Sequence, residues 1–193
     1  MIEVFDTNAG CAQCHVINGE VEEVEDLNTK DGRYFLALTR ISLGWIFLWA
    51  FLDKAFGLGF TTPKDSSWIN GGNPIYGYLN YGTSGPLQDS FQTFSGNIFC
   101  QWLFMLGLLG IGLSLFFGIG TKIAAYSAFI LLGLMYFSSP PFIAEGSHNP
   151  LVDDHVVYAF LALYIGLSNQ RHSLSLYNFW SKQPIVHKYP SLR

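Results

Sequence analysis

The chain has 193 residues, half of them hydrophobic and only 12% charged, with a net charge of −4 and a positive mean hydropathy. Soluble domains carry about 25% charged residues, so this composition excludes an ordinary soluble domain, and it lacks the basic footprint of a nucleic-acid binder. Eight of the 14 acidic residues precede Tyr34, which leaves the remainder as poor in charge as a chain in contact with lipid should be.

Residues 1–33 read as an acidic tail. Within it, Cys11-Ala-Gln-Cys14-His15 spells C-x-x-C-H, the attachment pattern for c-type haem. A zinc site built on Cys11, Cys14 and His15 would lack at least one ligand. A redox-active thiol pair is the third option, and a tail with no cofactor the fourth. No cleavable signal peptide is legible: the first residues are acidic, and the first apolar run begins only near Tyr34.

A spanning helix needs about 20 apolar residues. The first candidate is Phe35 to Leu58, interrupted only by Arg40, Asp53 and Lys54. Gly59 to Ile98 follows, about 40 residues, far beyond a normal connection. Its Trp68, Ile69, Ile75, Tyr76, Tyr78, Leu79, Tyr81, Phe91 and Phe94 can bury surface, so it is expected to be an ordered outer cap with short helices. The second span, Phe99 to Ile119, is free of charge, and Gly120-Thr121-Lys122 turns it sharply into a third that runs to about Phe142. Gly110, Ser114 and Gly118 recur every four residues in the second span, a small-residue stripe expected to pack against a neighbour. The fourth span, Asp154 to Ser168, is short for a bilayer. Residues 169–193 form a basic and aromatic tail suited to the membrane interface.

The expected fold is therefore an all-α membrane protein, a four-transmembrane-helix bundle over residues 34–168 with a long ordered outer loop between helices 1 and 2. Lys30, Arg33, Lys122, Arg171, Lys182 and Lys188 fall on one side, and Lys64 on the other. The positive-inside rule then predicts a multi-pass protein of the cell membrane with both termini cytoplasmic. That location argues against haem c in the tail, because haem c is attached outside the cytoplasm.

This topology brings Asp53-Lys54, Gln101-Trp102 and Asp153-Asp154-His155 to the same outer face beneath the cap. Ionisable groups at membrane-helix edges mark sites or relays, although Asp153 and Asp154 also suit a helix N-terminus and Lys54 can snorkel. Lys54, Asp154 and His155 are the candidate catalytic residues, and Arg40, Asp53, Trp68, Asn70 and Trp102 the candidate substrate-binding ones. Asp154 is expected to orient the His155 imidazole. Arg40 lies two heptads before Lys54 on nearly the same face, where it must snorkel, pair or line a cavity.

The segments RISLGWIFLWAFLDKAFGLGF (Arg40 to Phe60), SSWINGGNPIYGYL (Ser66 to Leu79), WLFMLGLLGIGLSLFFGIGTKIAAYS (Trp102 to Ser127) and NPLVDDHVVYA (Asn149 to Ala159) resemble the DoxX/DoxD family of membrane proteins, over about Arg40 to Gly166. The acidic tail lies outside the resemblance. The family includes the large membrane subunit of thiosulfate:quinone oxidoreductase, which has a smaller partner subunit. The resemblance thus implies a four-helix bundle and electron transfer from thiosulfate, or a related sulfur compound, to membrane quinone, with tetrathionate as product. Thiosulfate, a dianion, would bind near Lys54, Trp68, Asn70 and His155. The quinone ring would enter among Trp45, Trp49 and Phe51, with His155 or Arg40 as its polar partner. No flavin, haem or metal motif is present in the bundle, so the reading requires direct two-electron chemistry or a partner's cofactor. The alternative is a non-catalytic scaffold that docks a redox or sulfur-handling partner. A small transporter fits less well, because no broken-helix pair is visible.

Overall fold

The computed structural model describes residues 14–17, 20–23, 30–143, 149–168 and 173–189. A short antiparallel hairpin, β1 (Cys14–Ile17) with β2 (Glu20–Glu23), pairs Cys14 with Glu23 and Ile17 with Glu20. The α-helices of the described chain are α1 (Lys30–Phe56), α2 (Gln88–Thr93), α3 (Ile98–Phe117), α4 (Thr121–Ser138), α5 (Asp154–Leu167), α6 (Tyr177–Trp180) and α7 (Pro184–Lys188).

Helices α1, α3 and α4 are each long and apolar enough to cross a membrane; α5 is apolar but only 14 residues long. At 1.5 Å per residue it extends about 21 Å, against about 30 Å of hydrocarbon. Large apolar side chains lie on the outside of every one of these helices, Phe35, Ile46, Leu103, Leu106, Ile130, Phe137 and Phe160 among them. Exposed apolar surface on that scale is what lipid, not water, covers.

Helix ends follow local chemistry. Gly57, at φ 66°, bonds its N–H back to Asp53 and stops α1 before the expected Leu58. Helix α4 ends at Ser138 rather than near Phe142 because Pro140 and Pro141 follow; proline supplies no N–H and drives the residue before it out of the helical region. Between α3 and α4, Gly118 and Gly120 both adopt positive φ, so the chain reverses with no longer loop.

The core is built by α1, α3, α4 and α5 through Leu43, Phe47, Leu108, Ile111, Leu115, Ala128, Leu132, Ala162 and Ile165. Two close approaches set its geometry. Gly44 of α1 lies on the backbone of α3, where a Cβ would come within 2.6 Å of Phe116 N, and Gly112 lies on Leu48. Gly166 of α5 meets Ala125 and Thr121 of α4 in the same way. The expected stripe is displaced: Gly110 is exposed, a Cβ there would meet nothing within 4 Å, and Gly118 serves the turn. A helix turns about 100° per residue, so Gly112, two positions on from Gly110, faces the neighbour while Gly110 faces away.

Residues 57–97 fold back over one end of the bundle through short turns at Lys64–Ser66, Trp68–Asn70 and Tyr78–Gly82, followed by α2. Internal bonds hold this segment together: Asn73 Nδ2 donates to Ser95 O and Gln92 Nε2 to Asn80 O. Ser84 N donates to Ser138 O at 2.9 Å and anchors it to the end of α4.

Candidate functional site

Helix antiparallelism carries the end of α1, the start of α3, the end of α4 and the start of α5 to the capped end of the bundle. Lys54, in the last turn of α1, lines a cleft of about 680 Å³ with Thr61, Asp65, Asn70, Asn73, Pro74 and Tyr78 among its walls. Its ammonium forms no hydrogen bond or ion pair among the described residues. Lys54 also borders a second cleft, of about 480 Å³, walled by Trp45, Ile46, Trp49, Ala50, Asp53 and Phe60. Trp49 and Phe60 meet edge to face at 5.1 Å, and Trp45 and Trp49 lie 5.8 Å apart. Phe51, expected here, packs against the core instead.

The imidazole of His155 is held by Asp153. Its Nδ1 lies 2.6 Å from Asp153 Oδ2, while Asp153 Oδ1 accepts the Val156 N–H and caps α5. A carboxylate only accepts, so this bond puts a proton on Nδ1 and, in the neutral ring, leaves Nε2 as the acceptor. The expected role of Asp154 is corrected: Asp154 is exposed in the first turn of α5 and forms no bond to His155. The N-cap needs extended backbone, which Asp153 has at φ −113° and ψ −178°; the side chain there turns back over the first turn, where His155 lies.

Tyr78, outside the expected set, links the two regions. It lines the Lys54 cleft, and its hydroxyl lies 2.7 Å from Ser138 Oγ and 3.2 Å from Met135 O at the end of α4. Burial pushes its phenol above the ordinary value; the Ser138 bond pulls it partly down, and the nearby Asp153 carboxylate pushes it up again. Its position in a π-type turn of the cap leaves no periodicity for a sequence reading to detect.

The remaining candidates divide. Trp68 and Trp102 come together edge to face at 4.6 Å, and Asn70 shares the Lys54 cleft while bonding Lys64 O. Asp53 is spent on structure: its carboxylate accepts the N–H groups of Phe60 and Thr61 and the Thr61 hydroxyl, closing the turn after α1. Arg40 does not join the site. It is fully buried 14 residues before Lys54, about 21 Å along the helix. There it donates to Leu115 O and Phe116 O, in the last turn of α3, and to Leu174 O. A cation at a helix C-terminus satisfies carbonyls that have no partner within the helix, so neither snorkelling nor ligand binding describes it.

Among the described residues no group of three or more His, Cys, Asp or Glu could hold a metal ion. Cys11 lies outside the described residues, and Cys14 and His15 are described only as backbone of β1. No family model, curated protein or solved structure matches the chain.

Proposed function

We propose that this chain is the membrane subunit of a quinone-linked oxidoreductase that takes electrons from thiosulfate or a related sulfur anion. The observation that carries the reading is Lys54, an ammonium without a hydrogen-bond partner among the described residues, shared between a cleft under the cap and an aromatic one. The cleft under the cap has room for a small dianion, with Lys54 as its cation and Asn70 elsewhere on its wall. The aromatic cleft, bordered by the exposed Trp45 and Ile46 of α1, suits a quinone ring, with Asp53 and Lys54 side by side at its charged edge. The resemblance of Arg40–Gly166 to the DoxX/DoxD family supports the same assignment.

In the reaction two thiosulfates each lose one electron and join through a new S–S bond as tetrathionate. Quinone takes up the two electrons and two protons to become quinol. Lys54 orients the anion and offsets its charge. His155, fixed by Asp153, has an Nε2 with no hydrogen-bond partner among the described residues, placed to pass a proton. The electrons pass directly or through a cofactor on a small partner subunit.

In this reading α5 is a fourth span in a locally thinned bilayer, both termini are cytoplasmic, and the cap faces outward at the cell membrane. Reporter fusions at the N-terminus, after Lys122 and within residues 59–98 test that orientation; an external N-terminus would reverse it. Quinol formation by purified protein given thiosulfate and a quinone analogue tests the chemistry. Wild type should turn over, alone or with its partner, and Lys54→Met should chiefly lose affinity for thiosulfate. Absence of thiosulfate and quinone binding by wild type would leave the scaffold as the better reading.

A further inference from the structure

Beneath the cap lies a further cavity, of about 330 Å³, which shares no residue with the aromatic cleft. Its walls come from the first turns of α3 and the last turns of α4, closed over by the cap and α2. Four aromatic rings bound it, Tyr78, Phe91, Phe94 and Phe104, and nearly all of its surface is apolar. Leu103 and Leu134 also line it. Both are more than half exposed on helix faces that lipid covers, so the cavity opens toward the bilayer. Small-molecule sites have about this size and character, a few placed polar groups in an apolar wall.

The oxygen-bearing side chains of this cavity, Tyr78 and Ser138, are joined. Tyr78 Oη lies 2.7 Å from Ser138 Oγ, Ser138 Oγ donates to Met135 O at 2.8 Å, and all three residues line the cavity. The Ser138 proton is spent on that carbonyl, so Tyr78 donates to Ser138. A phenol has one proton and keeps acceptor capacity on its oxygen, and in this arrangement no donor among the described residues reaches Tyr78 Oη. The cavity thus offers aromatic walls and one acceptor. An acyl chain would fill the space and leave the acceptor unused; a flat ring bearing an O–H group uses both.

We infer that this cavity binds a lipid-soluble hydroquinone, its ring between the aromatic walls and one O–H donated to Tyr78 Oη. The ligand enters from the bilayer past Leu103 and Leu134. The site is separate from the aromatic cleft, where the redox reading places the oxidised ring. On that reading it receives the quinol that the reaction makes. Binding needs no turnover, however, so the assignment stands apart from the thiosulfate chemistry.

Cys100 lines the cavity and is a free thiol, which makes it a reporter of occupancy. The test uses the full chain in lipid nanodiscs with Cys11→Ser and Cys14→Ser, so that Cys100 is the one thiol left of three. The probe is a decyl hydroquinone with a fully substituted ring, which does not add to thiols, compared with the same compound oxidised to the quinone. Alkylation of Cys100 by iodoacetamide is timed against probe concentration, and probe retained per protein is counted by native mass spectrometry. The hydroquinone should protect Cys100 saturably and be retained at about tenfold lower concentration than the quinone, the margin expected for one hydrogen bond. Tyr78→Phe should erase that margin, and Leu134→Trp, which narrows the mouth, should weaken both probes. Equal binding of the two forms by the parent chain, or a margin that survives Tyr78→Phe, overturns the assignment. So does unchanged binding by Leu134→Trp, whose exposed position leaves folding intact. Retention of neither probe also overturns it, since bilayer acyl chains then fill the cavity. Hydroquinone binding without thiosulfate turnover removes the redox reading alone, and turnover without hydroquinone retention removes this inference alone.

Discussion

Arg40→Met should destabilise the bundle without touching the candidate site. The guanidinium donates to Leu115 O, Phe116 O and Leu174 O, which joins α1 to the end of α3 and to the segment leading into α6. At about 1.5–3 kcal/mol for each hydrogen bond to a charged group, three bonds amount to roughly 4–9 kcal/mol. The burial of the cation opposes this, and Arg40 Nε, buried without a partner, adds to that cost. Desolvation of a buried charge takes back several kcal/mol, so a net loss of about 3 kcal/mol is expected. For a chain of this size that lowers the unfolding midpoint by roughly 6–12 °C. Arg40→Lys should lie between, since an ammonium keeps the charge at the helix end but lacks the planar fork that reaches two segments at once. The assay is thermal unfolding in detergent or nanodiscs, read by tryptophan fluorescence, with ligand binding measured on the same samples. An unchanged midpoint for Arg40→Met would refute the clamp. An unchanged midpoint with lost quinone binding would move Arg40 into the site.

Three further outcomes follow from the geometry. Gly112→Ala should cost about 1–3 kcal/mol, because its Cβ would stand 2.8 Å from Leu48 Cγ and 2.9 Å from Leu48 N; Gly110→Ala should be neutral or stabilising by up to about 1 kcal/mol. Equal unfolding midpoints for the two variants would contradict the packing described. Asp153→Asn should lower quinone-linked turnover and cost a few tenths to about 1 kcal/mol at the α5 cap, while Asp154→Asn should behave as wild type; the reverse order in a turnover assay would restore Asp154 as the orienting group. Tyr78 has a raised phenol pKa, so the folded state holds that proton more tightly than the unfolded chain does. Its contribution is complete below the ordinary tyrosine value of about 10 and is lost as pH rises through the higher folded value. Tyr78→Phe should therefore flatten the fall in stability above about pH 10, and an identical alkaline limb in urea titrations of both proteins would exclude it.

Length and hydropathy alone determined that this is a membrane protein with long apolar helices, because about 20 uncharged residues in a row have no better solvent than lipid. They also marked the turn at Gly120 and the chemistry-bearing residue types near the helix ends. What they could not decide was direction about the helix axis. Gly110 and Gly112 are equally small, and only the packing of α1 determines which is crowded. Asp153 and Asp154 are the same residue type one position apart, and the backbone angles of the cap choose between them. Arg40 looked like a cation in search of a ligand because its partners, the last carbonyls of α3 and a carbonyl near α6, are backbone groups up to 134 residues away. Tyr78 carried no motif, since it lies in an irregular turn. Its surroundings are made by segments distant in sequence, so its significance exists only in the folded chain.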